Sequence, residues 1–264
     1  MPGLQERVRA LASVGGEEET GRYERKDGII ACAYFVFLQV HLYFWNLSDI
    51  GMGAENAMGK SAYLWLKRIP ANNDSLSNWA TLLGDIPSNV IPIIVILAIL
   101  LIRRQKLGTL GFRRRHNLTA CMIGILVGVL FALIMYGVVL AFQIPTILNR
   151  LGSIRFSVFT VVSRVVFTGL PEELSFRAYL QSRVSVLIRN QWIAGLTVGL
   201  LFWASHLILD WKYGMPSPGT LLFQAIFMIV THLIFYTVYR RTDNILASTF
   251  AHGIYDLMIE AAYS

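Results

Sequence analysis

The chain has 264 residues, of which 55% are hydrophobic and only 15% charged, against about 25% charged for a soluble domain. With a mean hydropathy of +0.54, this composition excludes a water-soluble enzyme, a disordered chain and a fibrous one, and points to an integral membrane protein. The net charge of +7 then reads as the mark of cytoplasmic loops and not of nucleic-acid binding.

A spanning helix needs roughly 20 apolar residues. Residues 1–27 are polar, mixed in charge and carry Glu17, Glu18 and Glu19, which predicts a solvated cytoplasmic tail. An uncharged stretch over 28–48 predicts the first span, and residues 49–77, with Asn72, Asn73 and Asp74, read as a polar loop. A second span is expected at about 79–102, kinked by Pro87 and Pro92. After the basic cluster Arg103, Arg104, Lys106, Arg113, Arg114 and Arg115 comes a third span at about 118–142. The fourth, at 157–182, is the least apolar, carrying Arg164, Glu172, Glu173 and Arg177. The remaining spans are expected at 191–209, 219–239 and 245–262.

The expected fold is therefore all-α: a polytopic transmembrane bundle of about seven spanning helices, with room for an eighth, forming one domain over 28–262. Cys32 and Cys121 both lie in apolar runs, so neither a disulfide framework nor a cysteine metal site is expected. Placing the 103–115 loop in the cytoplasm puts 15 Lys and Arg on the inner side and 6 on the outer. That bias predicts a cell-membrane protein with a cytoplasmic N-terminus and, after seven spans, an extracytoplasmic C-terminus.

A charge inside an apolar helix costs roughly 2.5–3.5 kcal/mol on insertion scales, so each one needs a reason. On an α-helix Glu173 and Arg177 are i and i+4 and can pair, which leaves Glu172 without a local partner. The two glutamates serve either a polar helix–helix contact or, in the case of Glu172, general-base chemistry in an apolar surround. Among the histidines, His41 reads as a core residue, His116 as a solvated loop residue and His232 as a weaker site candidate. His206 ends Phe202-Trp203-Ala204-Ser205-His206, and His252 shares a helix face with Asp256. Glu172, His206, His252 and Asp256 together would make a water-activating set, or a set of metal ligands. By residue counting, His206 falls roughly 9 Å further out than Glu172 and His252 at 1.5 Å per residue.

Glu172-Glu173-x-x-x-Arg177, Phe202-x-x-x-His206 and His252-x-x-x-Asp256, in that order and each on its own apolar helix, resemble the three motifs of the CPBP family. This family comprises the CAAX proteases and bacteriocin-processing membrane enzymes, also called Abi. The resemblance covers about residues 155–260. It implies an intramembrane endopeptidase acting on a peptide or protein substrate, lipidated or membrane-embedded. It implies that Glu172 with His206 activates water, that His252 and Asp256 stabilise the oxyanion, and that Glu173, Arg177 and Phe202 are structural or orienting. It favours a mechanism with no cofactor, although the ligand types leave a divalent metal open. An ionised Asp256 cannot donate to an oxyanion, so it would orient His252, stay protonated or bind a metal. No His-Glu-x-x-His is present. The alternative reading is a non-catalytic membrane protein, either a bacteriocin-immunity or scaffold protein or a transporter, with buried structural charges.

Overall fold

The computed structural model describes residues 23–68, 73–112, 116–141 and 157–263. Among them every regular element is helical. Helix α1 (Arg25–Leu47) starts three residues before the expected span, because Glu24 and Asp27 form a reciprocal capping box. Asp27 also holds Arg103 at 2.7 Å.

The polar loop expected at 49–77 is instead largely helical: α2 (Asp49–Leu66) and the start of α3 (Asn73–Gly84) occupy it, and Asn72 lies outside the described residues. Ser48 caps α2 by accepting from the Gly51 amide. Glycines then let the two helices approach closely: a Cβ on Gly84 would stand 2.8 Å from the Glu55 carbonyl oxygen. Polarity concealed a helical pair packed through small residues.

Helix α4 (Ile86–Ile102) continues α3 after a break at Asp85. Pro87 lies in its first turn, where the missing N–H has no intrahelical partner in any case, so it starts a helix where a kink was expected. Pro92 lies inside α4 and withdraws the N–H that the Ser88 carbonyl would have received. His41 of α1 supplies the replacement, its Nε2 donating to Ser88 O at 2.8 Å. The core role expected for His41 thus has a specific cause.

After a short 3₁₀ turn (Leu107–Leu110) follow α5 (Asn117–Ala141), a rod here named α6 over residues 158–187, α7 (Gln191–Tyr213), α8 (Pro218–Thr242) and α9 (Ile245–Tyr263). Within α6, Ser163–Gly169 and Glu173–Leu180 are wound as π-helix, with α-helical turns around them. The fourth helix is therefore not the plain α-helix expected, and it runs on to Leu187.

Five stretches are long and apolar enough to cross a membrane: Arg25–Leu47, Leu76–Ile102, Asn117–Val138, Gln191–Ile208 and Pro218–Thr242. By that measure the count is five where seven were expected. Helix α9 offers only the shorter apolar run Ile245–Ile259, and α6 does not qualify. The physical reason for α6 is its position. Residues 173–185 are all buried, so this helix faces protein and has no need of a lipid-compatible surface. The helices around it turn apolar residues outward, with Leu101, Leu118 and Trp192 each more than three-quarters exposed, as befits an integral membrane protein.

One end of the bundle is tied by polar contacts. Arg183, just past the expected end of the fourth span, is buried and donates to Gln105 Oε1 at 2.7 Å and to Thr109 Oγ1 at 3.3 Å. Asn244 donates to Asn117 Oδ1 at 2.8 Å, and Arg240 donates to Gln191. Together with Asp27–Arg103, these contacts bring the starts of α1, α5, α7 and α9 and the ends of α4, α6 and α8 to the same end. Consecutive rods among these therefore alternate in direction.

Candidate active site

Helix α6 places the two glutamates. Its π-winding, with i→i+5 hydrogen bonds, widens the helix at Glu173, and such turns recur at functional sites. Glu173 and Arg177 are both fully buried, with Oε1 3.2 Å from Nη1. The expected pair is therefore formed. The Arg177 guanidinium also lies 4.2 Å from the centre of the Phe202 ring and 5.6 Å from that of Phe235, so two aromatic faces complete the charge's surroundings.

The same carboxylate has a second partner that the sequence pattern did not show. His252 Nδ1 donates to Glu173 Oε1 at 2.9 Å. This contact fixes the orientation of the imidazole and turns Nε2 toward two other carboxylates: Glu172 Oε2 at 3.8 Å and Asp256 Oδ2 at 3.4 Å. Glu172 Oε2 is buried and makes no hydrogen bond. Helix α9 is held against α6 by close approach, since a Cβ on Gly253 would lie 2.6 Å from Val165 Cα.

Glu172 also lines a cavity of about 120 Å³ walled by α1, α4, α6 and α7. His206 lines it too, as do Leu38, Leu42, Asn89 and Phe176. The 9 Å offset expected between Glu172 and His206 does not keep them from a common space. His206 Nδ1 donates to the Phe202 carbonyl at 2.9 Å, which leaves Nε2 as an acceptor in the neutral ring. Phe202 thus touches the site twice, through its ring under Arg177 and its carbonyl on His206. His252 and Asp256 reach Glu172 from α9 and are not among the residues lining this cavity. His232, the weaker candidate, is fully buried and donates from Nε2 to Gln181 Oε1 at 3.1 Å, behind Phe202. His116 is exposed.

The four residues weighed as metal ligands divide into Glu172 and His206 on the cavity, and Glu172, His252 and Asp256 beyond it. Among the described residues no group of three or more His, Cys, Asp and Glu is arranged to hold a metal ion.

Residues 154–258 match the family model described as type II CAAX prenyl endopeptidase, Rce1-like. The match contains all three motifs and leaves α1 to α5 outside it. It bears out the resemblance to the CAAX-protease family drawn from those motifs. Searches of curated proteins and of solved structures gave no match.

Proposed function

Because residues 154–258 carry the signature of a membrane protease family, we propose that this protein is an intramembrane endopeptidase in which Glu172 is the general base. The observation that carries the reading is the placement of Glu172: one side lines a cavity shared with His206, and the other meets His252 through an oxygen with no hydrogen bond. In the reaction, a water oriented by Glu172 and His206 Nε2 adds through its oxygen to the peptide carbonyl carbon. Its proton passes to Glu172, and the carbonyl π pair moves to oxygen. Collapse of the tetrahedral intermediate breaks the C–N bond, and the proton on Glu172 goes to the leaving amine. His252, held by Glu173 through Nδ1, keeps Nε2 facing Glu172 at 3.8 Å while that proton is in transit.

The substrate is a peptide or protein segment reached from the bilayer. Sites that enclose drug-sized ligands run to roughly 300–1,000 Å³, so a cavity of about 120 Å³ takes a peptide carbonyl and a side chain. A lipid anchor on the substrate would lie outside it, along the membrane-facing helices. The bundle crosses the cell membrane seven times, with α6 and α9 as the two crossings of low hydropathy, and its tied, basic end is cytoplasmic.

The test is proteolysis of a peptide library by the purified full-length protein beside the Glu172→Gln variant. Cleavage by the wild type and none by the folded variant is expected. Equal cleavage by both would remove Glu172 as the base, and no cleavage by the wild type would overturn the peptidase reading.

A further inference from the structure

The hydrogen-bond donors around Glu172 are nearly all committed elsewhere. The Nδ1–H of His252 goes to Glu173, and its Nε2 faces two carboxylates. Asp256, as a carboxylate, only accepts. On the cavity side, the Nδ1–H of His206 goes to the Phe202 carbonyl. The Ser88 hydroxyl donates to Asp85 O and the Ser205 hydroxyl to Leu201 O, Ser175 shares its hydroxyl with Tyr34, and the Thr168 hydroxyl stands on α6, the helix of Glu172 itself. Yet a carbonyl attacked in this cavity develops a full negative charge on oxygen, and a site that offers it no donor gains nothing in the transition state.

Asn89 is the amide on the cavity wall. One of its two Nδ2–H bonds goes to Asp85 O at 2.9 Å, which leaves the second for a ligand. It stands on α4, a different helix of the cavity wall from the one that carries Glu172, so water and oxyanion donor do not share one helix. Its turn is also fixed in advance. The Asn89 amide donates to Asp85 O at 3.3 Å, and the neighbouring Ser88 carbonyl, freed by Pro92, is pinned by His41. Donors held in place before the reaction contribute most, because nothing reorganises as charge appears.

We propose that Asn89 donates through Nδ2 to the substrate carbonyl oxygen in the Glu172–His206 cavity and so supplies the oxyanion contact that Asp256 as a carboxylate cannot. The proposal rests on the peptidase reading above and adds a residue from outside the family match.

Steady-state cleavage of one selected peptide by wild type, Asn89→Asp, Asn89→Leu and Glu172→Gln tests it, with thermal unfolding in detergent as the folding control. Asn89→Asp keeps the shape and removes the donor. It should lower kcat about 10²–10³-fold, as loss of one oxyanion donor does, with KM little changed. A phosphinic peptide, whose tetrahedral oxygen mimics the oxyanion, should bind Asn89→Asp more weakly than wild type by a similar factor. If Asn89→Asp does not accumulate, Asn89→Leu carries the same comparison. Wild-type kcat in a folded Asn89 variant, or unchanged phosphinate binding, overturns the role of Asn89 and leaves Glu172 untouched. Cleavage that survives Glu172→Gln but falls in the Asn89 variants overturns the base and upholds the donor. A wild type that neither cleaves peptide nor binds the phosphinate overturns both.

Discussion

Glu173 accepts a hydrogen bond from His252 Nδ1 at 2.9 Å, joining two residues 79 positions apart in the chain. The same oxygen meets Arg177 at 3.2 Å, so one buried carboxylate compensates a guanidinium and aims an imidazole. These two tasks are separable by mutation. Arg177→Ala strands a buried carboxylate and should cost about 3–5 kcal/mol, seen as a lowered unfolding temperature in detergent. Replacing both Glu173 and Arg177 by Met should recover most of that stability, because no charge is left unpaired. It should not recover cleavage, because His252 then loses the acceptor that fixes its Nδ1. Full activity in the double variant would show that the orientation of His252 is immaterial.

Helix α9 depends on its fit against α5. Gly124 and Gly128 sit one α-turn apart, and a Cβ on Gly128 would lie 2.6 Å from the Ala251 carbonyl oxygen, the residue before His252. Small residues at this spacing let membrane helices touch backbone to backbone. Gly128→Leu should push α9 away and reduce both folded yield and cleavage, whereas Gly137→Leu, at a position with open space around it, should do neither. Yield and activity measured side by side check this.

The seven-crossing arrangement makes one prediction that five crossings do not share. A reporter placed in the turn at 214–217 should lie outside the cell if α6 crosses the membrane, and inside if it does not. The loop after α4 should read as cytoplasmic and the C-terminus as extracytoplasmic. A cytoplasmic signal from 214–217 would make α6 a buried rod that does not traverse.

Cleavage should survive chelation. His252 Nε2 lies 3.8 Å from Glu172 Oε2 and 3.4 Å from Asp256 Oδ2, and among the described residues no three such side chains are arranged to hold a metal ion. Asp256→Asn should then be nearly neutral or mildly activating. Loss of activity in EDTA, restored by one divalent ion, together with metal in the purified protein, would overturn the metal-free route.

The candidate set Glu172, His206, His252 and Asp256 was legible because titratable residues at fixed spacing in apolar helices have few structural excuses. The second partner of Glu173 was not legible. The i,i+4 rule identified Arg177, but His252 reaches Glu173 only through the packing of α9 on α6, which rests on Gly253 and Val165. The π-winding of α6 leaves no trace in a periodicity argument that assumes 3.6 residues per turn. Residues 49–66 were misread as part of a polar loop, whereas they form a helix in which Gly51 and Gly59 serve close contact. Asn89 drew no notice because a single amide between two prolines has no pattern to which it belongs.

The cavity is a composite of two inheritances. The carboxylates and histidines lie within the stretch that matches the protease family, but Leu38, Leu42, Asn89 and Pro92 come from α1 and α4, outside it. On the proposed peptidase reading, chemistry and selectivity are encoded in different parts of the chain. On that reading, exchanging residues 28–102 for those of another family member should change which peptides are cleaved while leaving Glu172, His206 and His252 in place. The His41 clasp on Ser88 O marks the seam to respect: a graft that carries both residues keeps the wall in register, and one that separates them leaves an orphaned carbonyl beside the cavity.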